Sequence, residues 1–184
     1  ATSFIMRPLG AALYGHFGDI LGRKKTLIVS VSGMGASSFL MGCLPTYHSI
    51  GASATVLLLL LRLLAGLSAG GELGGSVALL VESAPSRQRG LFGSIAIASA
   101  MLGVLAAAIV TNVLFYTVSM QHINQFAWRI PFLLSIVTLS ISLFYRYHMR
   151  ESVAFRDIKD TPFISLTPLK DCITQHIAKL IKIM

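Results

Sequence analysis

The chain has 184 residues, of which 54% are apolar and only 12% are charged, about half the charged share of a soluble domain. These proportions exclude an ordinary soluble domain and a disordered tail. The net charge of +8 does not indicate a nucleic-acid binder, since such proteins are rich in charge. The composition instead predicts an all-α membrane protein with about five transmembrane helices of roughly 20 residues.

Five apolar runs follow one another along the chain, and each is long enough to form a spanning helix. The predicted spans are residues 3–21, 26–44, 54–82, 91–118 and 128–147. They make up a membrane region, 1–149, and a more polar tail, 150–184, follows it. The chain begins with Ala1 inside an apolar stretch without the features of a signal peptide, and it stops at Met184 within an amphipathic pattern. We therefore interpret the sequence as a segment of a longer protein.

A short turn joins the first two runs, and its sequence over residues 15–25 is GHFGDILGRKK. Gly22 lets the chain reverse, and the two earlier glycines let another helix approach closely. Asp19 lies at the membrane edge, where it can meet Arg23 or a helix N-terminus. The alternative is a simple turn that carries cytoplasmic positive charge. His16 lies one turn from Asp19, and either core packing, a water contact or a titrating role fits it.

The third run combines small residues with two ionisable side chains. The small residues recur every four positions and predict one smooth packing face: Gly66, Gly70, Gly74 and Ala78. Arg62 and Glu72 are costly inside a bilayer and usually face a bundle interior or a cavity; a structural ion pair or snorkelling is the alternative. Along the helix, Glu72 lies about 15 Å from Glu82, near mid-membrane, whereas Arg62 lies about 30 Å away, near the outer surface.

Arg7 in the first run has a depth similar to that of Glu72, because it lies about 18 Å from Asp19 along the helix. We hypothesise that Arg7 and Glu72 both face a central cavity. There they would bind opposite ends of a zwitterion, or a substrate anion and a proton.

Loop charges set the predicted orientation. Basic residues follow the first, third and fifth runs, at 23–25, at 87–89 and from Arg146 onward, all on one side if five helices alternate. The loops 45–51 and 119–127 contain no Lys or Arg. By the positive-inside rule the basic side is cytoplasmic, and chance clustering is the alternative.

The start of the fifth run, Trp128-Arg-Ile-Pro131-Phe, fits an interfacial anchor followed by a first helical turn. Cys43 and Cys172 form neither a CxxC pair nor a Cys/His spacing, so we expect no disulfide framework, no metal and no cofactor. A membrane enzyme is a weak rival, since no Ser/His/Asp set, HExxH, paired carboxylate cluster or phosphate loop is present.

These motifs together resemble those of the major facilitator superfamily. The 15–25 turn resembles its motif A, G-x-x-x-D-R-x-G-R-K/R, with Ile20 where a basic residue is usual. The segment that begins at Arg62 resembles motif B, R-x-x-Q-G, with Ala65 in place of Gln. Four segments are similar to the metabolite:proton symporter family: RPLG at 7–10, GGE at 70–72, APSRQRG at 84–90 and WRIPF at 128–132. RESVAF at 150–155 resembles its E-S/T-P-x-F segment, with Val153 in place of Pro.

The resemblance implies that the five runs are helices two to six of a twelve-helix transporter. Residues 1–149 would be a partial N-terminal six-helix half, and 150–184 the central cytoplasmic loop. The C-terminal half would be its missing partner. Read by itself, the tail fits a basic amphipathic helix on the inner leaflet up to about Gln175 and the start of a seventh helix beyond it.

The implied function is proton-coupled symport of a small organic solute across the bacterial inner membrane by alternating access, with no nucleic acid involved. Proline or glycine betaine is the expected solute. The alternatives are an organic acid (α-ketoglutarate, citrate or shikimate) and a non-functional truncated remnant. The expected substrate and proton pathway consists of Arg7, Arg62 and Glu72, with Glu72 as proton carrier because a desolvated carboxylate is more easily protonated. The expected gating residues are Gly15, Asp19, Gly22, Arg23, Lys24, Glu82 and Arg89.

Overall fold

The computed structural model describes residues 2–149, except for the side chain of Asn124, and this range is helical without a strand. The helices are α1 (Thr2–Leu21), α2 (Arg23–Cys43), α3 (Tyr47–Ile50), α4 (Ala52–Ser83), α5 (Arg89–Thr117), α6 (Met120–Gln125), α7 (Ile130–Leu133) and α8 (Ser135–His148). Short 3-10 turns precede α5 and α7, at Ser86–Gln88 and Ala127–Arg129. The all-helical prediction is confirmed, and the predictions for the tail lie outside the described residues.

Four stretches in the described range are long and apolar enough to cross a membrane: Arg23–Cys43, Ala52–Ser83, Ser86–Thr117 and Ala127–His148. The first predicted span is not among them, although α1 has 20 residues and therefore a length of about 30 Å. Arg7 and Asp19 lie within α1 and reduce its apolar character. Its long contact with α4 nevertheless makes α1 part of the helix bundle.

α1 and α4 pack closely because glycines remove side-chain bulk between them. A Cβ atom on Gly66 would overlap the carbonyl oxygen of Ser3, and one on Gly70 would overlap that of Arg7. This half of the predicted stripe therefore brings two backbones into direct contact. At Gly74 the prediction of close packing is wrong: nothing lies within 4 Å of where its Cβ would be, and the residue lines a cavity instead.

α2 is the most enclosed of the long helices, because α1, α4, α7 and α8 all pack against it. The α2 side chains of Leu27 and Val31 are buried in the core, and those of Ser30 and Ser37 are fully buried. Gly35 leaves room for Leu139 of α8. α5 packs on α4 at the edge of the bundle, and most of its apolar side chains are exposed.

The turn between α1 and α2 is reversed by Gly22, whose φ of 102° favours glycine. The prediction for Gly22 is thus correct, whereas the close helix approach predicted at Gly15 is not observed, since no atom lies within 4 Å of its Cβ position. At the opposite end of the bundle, Arg129 donates a hydrogen bond to the carbonyl oxygen of Leu44 (3.0 Å) and stacks on Trp128 (4.5 Å). Arg129 thereby links the end of α2 to the 3-10 turn that precedes α7.

Candidate functional site

A cavity of about 880 Å³ opens between α1, α4 and α5. Its wall contains both ionisable side chains that were predicted to share a cavity, Arg7 from α1 and Glu72 from α4. Ser76 and Ser99 add hydroxyl groups to a lining that is otherwise mostly apolar. The arrangement can hold a small solute whose charged ends meet a few fixed polar groups.

Arg7 is exposed, and its guanidinium lies over the ring of Phe4, 4.5 Å from the ring centroid. This is a cation–π contact within α1. The contact of the Arg7 backbone with Gly70 fixes where the arginine emerges from the bundle. A planar guanidinium at a cavity wall can bind a carboxylate through two parallel hydrogen bonds.

Glu72 is held by groups from three helices. It forms an ion pair with Arg146 of α8, accepts a hydrogen bond from the Ser30 hydroxyl of α2 (3.2 Å) and accepts another from Ser76 of its own helix (3.4 Å). The side chains of Glu72 and Arg146 are only 21% and 15% exposed. A carboxylate this far from water needs a counter-charge and hydrogen bonds to remain ionised.

Arg146 is the functional candidate that the sequence did not single out. It looked like the first cation of the cytoplasmic tail, whereas the structure places it in the last turn of α8, pointing inward to Glu72. Its Nε also donates a hydrogen bond to Ser142, one turn earlier (3.3 Å). The sequence could have pointed to Arg146 through Glu72, because a carboxylate inside the membrane needs a cation nearby.

Arg62 does not join the other two predicted pathway residues. It is exposed and lies ten residues from Glu72 along α4, about 15 Å, outside the lining of the large cavity. Its described contact is through the backbone, where the carbonyl oxygen accepts a hydrogen bond from Ser3 (3.1 Å).

Five of the seven predicted gating residues lie at the turn between α1 and α2 or contact it: Asp19, Gly22, Arg23, Lys24 and Glu82. Arg23 forms ion pairs with Asp19 (3.1 Å) and with Glu82 near the end of α4 (3.4 Å). Lys24 donates a hydrogen bond to the carbonyl oxygen of Tyr147, near the end of α8 (2.7 Å). One turn thus holds the adjacent ends of three helices through partly exposed contacts.

Two other residues of that end of the bundle have different surroundings. Arg89 begins α5 and is exposed. The imidazole of His16 packs on Phe17, and within the described part of the chain its buried Nδ1 has no hydrogen-bond partner.

Long apolar helices around a cavity with a few polar groups are the arrangement expected of a helical membrane transporter. Residues 1–161 match the family described as "Sugar (and other) transporter", and the chain belongs to this family of membrane transporters. This confirms the resemblance to the major facilitator superfamily. The chain is an integral, multi-pass protein of the bacterial inner membrane.

Among curated relatives, the inner membrane metabolite transport protein YhjE of Escherichia coli is 38% identical over 177 residues, which cover 96% of this chain and 40% of YhjE. The ectoine/proline transporter ProP of Corynebacterium glutamicum is 40% identical, with 88% of this chain and 33% of ProP covered. The shikimate transporter of E. coli is 38% identical, with 84% and 35% covered. The chain therefore spans about two fifths or less of these relatives.

The fold is also that of a solved transporter. The proton:xylose symporter XylE of E. coli superposes with a TM-score of 0.80 at 17% sequence identity, and the match covers all of this chain and 40% of XylE. At this identity the likeness shows the major facilitator fold.

Proposed function

We propose that the chain belongs to a proton-coupled symporter of a small organic solute, with proline or glycine betaine as the solute. The observation that carries the proposal is that Arg7 and Glu72 line one cavity of about 880 Å³. Arg7 would bind the carboxylate of the solute, and Glu72 would take up the proton. The relative ProP, an ectoine/proline transporter, supports an osmolyte of this kind.

An organic acid is the second candidate solute. Glu72 is already paired with Arg146, so Arg7 gives the cavity wall an excess of positive charge. A positive wall favours an anion over a zwitterion, and the shikimate transporter among the relatives supports this alternative. Both candidates carry a carboxylate, and they differ in whether a cationic group accompanies it.

The cluster around Arg23 would act as a latch for one side of the transporter. Its ion pairs join the turn after α1 to the end of α4, and Lys24 adds a link to α8. Partly exposed pairs contribute about 0–1 kcal/mol each, which suits contacts that must break and reform in each cycle.

A solute panel tests the proposed function in a chimera, in which residues 1–184 replace the matched segment of full-length YhjE. Proteoliposomes are given labelled proline, betaine, α-ketoglutarate, citrate or shikimate with and without an inward proton gradient. We expect gradient-dependent uptake of proline or betaine. Gradient-dependent uptake of the acids alone selects the second candidate. A chimera that exchanges solute in counterflow but ignores the gradient contradicts symport.

A further inference from the structure

Glu72 and Arg146 link two helices that lie far apart in the sequence, α4 and α8. The carboxylate is also bonded by Ser30 of α2, and the arginine by Ser142 of its own helix. Both charged side chains are mostly shielded from solvent. The pair therefore ties α8 to α4 at a place where charge attraction is strong.

The pair lies between two cavities. Glu72 lines the large cavity, whereas Arg146 and Ser142 line a second one of about 280 Å³ between α2, α4 and α8. Ser76, which is bonded to Glu72, lines both. The carboxylate is thus accessible from the proposed solute cavity, while its cation borders the smaller one.

We propose that Arg146 is a positioning residue for Glu72 and that the pair is a proton-sensitive tether between α4 and α8. The proposal rests on the function above, in which Glu72 takes up the proton. The ionised carboxylate holds the guanidinium and, with it, the end of α8. When the carboxylate accepts a proton from the large cavity, the attraction between opposite charges is lost. Arg146 then remains as an uncompensated cation, and α8 is free to move away from α4.

The other ionisable groups around Glu72 are an arginine and two tyrosines in addition to Arg146. α1 contributes Arg7 to the large cavity and Tyr14, whose ring packs on Gly71, and α8 contributes Tyr145 to the smaller cavity. The residues of α2 and α5 that line these cavities are not ionisable. Among the described residues, Glu72 is the only carboxylate that lines these two cavities, and no histidine lines them, so the comparison with Glu72→Gln identifies the response of this site to acid.

Spin labels on the ends of α4 and α8 test the tether in the 184-residue chain in lipid nanodiscs. Cys43 and Cys172 are replaced by serine, and the labels are attached after Ser83→Cys and His148→Cys, two exposed positions. Replacing His148 also removes the only histidine of α8. The distance distribution between the labels is measured at about pH 8 and at about pH 4.5.

At the higher pH we expect a narrow distribution with Glu72 and Arg146 intact, and a distribution at least twice as wide in Glu72→Gln or Arg146→Gln. The double variant is no wider than either single variant, and Arg146→Lys keeps the narrow distribution. Acid widens the distribution when Glu72 is present and has no effect on it in Glu72→Gln. The matched control Arg62→Gln removes an arginine outside the large cavity and leaves the distribution unchanged.

Equal widths with and without either member of the pair would overturn the tether. A wider distribution in Arg146→Gln but not in Glu72→Gln would also overturn the tether, because Arg146 would then act through a group other than Glu72. Circular dichroism checks that each variant stays helical. The Arg146→Lys variant and the measurement at acid pH test the tether without a substitution of Glu72. The distances do not depend on transport. Uptake that keeps its proton dependence in Glu72→Gln would contradict the proposed function while leaving the measured tether intact.

Discussion

Arg7 and Glu72 line the same cavity but differ in their surroundings. Glu72 is bonded to Arg146, Ser30 and Ser76 and is largely shielded, whereas Arg7 is exposed and lies over Phe4. A largely shielded carboxylate on a cavity wall suits proton uptake, and an exposed guanidinium suits recognition of a carboxylate. These surroundings support the proposal that Arg7 binds the solute and Glu72 takes up the proton.

Arg7→Gln is expected to raise the KM for solute counterflow of the chimera by about 10- to 100-fold, because a charge-assisted hydrogen bond contributes roughly 1.5–3 kcal/mol. Arg7→Lys is expected to recover only part of the affinity, since a lysine lacks the two-pronged geometry. Arg62→Gln serves as the control and leaves KM unchanged. If the KM of Arg7→Gln stays within twofold of the unsubstituted value, Arg7 does not bind the solute.

At the scale of the helices, the contact between α1 and α4 decides where the Arg7 side chain enters the large cavity. Gly66 and Gly70 let the two backbones touch, and Gly74, on the same helix face one turn further, borders open space. Four-residue spacing predicts which residues share a helix face. It cannot tell which part of that face meets a neighbour, because this depends on where the two helices diverge.

Gly70→Ala and Gly74→Ala separate these two environments. The Gly70 substitution forces a methyl group onto the carbonyl oxygen of Arg7 and is expected to lower the unfolding free energy by about 1–3 kcal/mol. The Gly74 substitution has room and is expected to be neutral or to stabilise the helix by up to about 1 kcal/mol. Denaturation of the chain in detergent, followed by circular dichroism, measures both. Equal effects would contradict the close packing at Gly70.

The turn between α1 and α2 makes a second prediction at this scale. Arg23→Gln removes the ion pairs to Asp19 and Glu82 and is expected to open the latch about two- to fivefold more often, since such pairs contribute about 0.2–1 kcal/mol. The opening is measured as the labelling rate of Ser76→Cys in the chimera by a water-soluble maleimide added from the cytoplasmic side. Lys25→Gln, with the same charge change at an exposed neighbour, is the control. Equal labelling rates would refute the latch.

At the scale of the whole molecule, the sequence predicts the helical fold well and the site only in part. Long apolar runs and the glycine at the first turn are local signals, and the bilayer restricts spanning segments to a few structures. The pairing of Glu72 with Arg146 joins residues on different helices, and nothing local to Arg146 distinguishes it from a loop cation. Arg62 shows the converse: it lies within α4 but outside the lining of the large cavity. A long cationic side chain can extend toward the membrane surface and needs no cavity.

The proposed function centres on one cavity in which Arg7 holds the solute and Glu72 carries the proton. Its most direct test compares proton-driven uptake with counterflow in the chimera carrying Glu72→Gln, with Arg62→Gln as the control. We expect Glu72→Gln to abolish the dependence of uptake on the proton gradient and to keep counterflow, because solute exchange needs no net proton movement. Uptake that remains fully gradient-dependent in Glu72→Gln would contradict the proposed function.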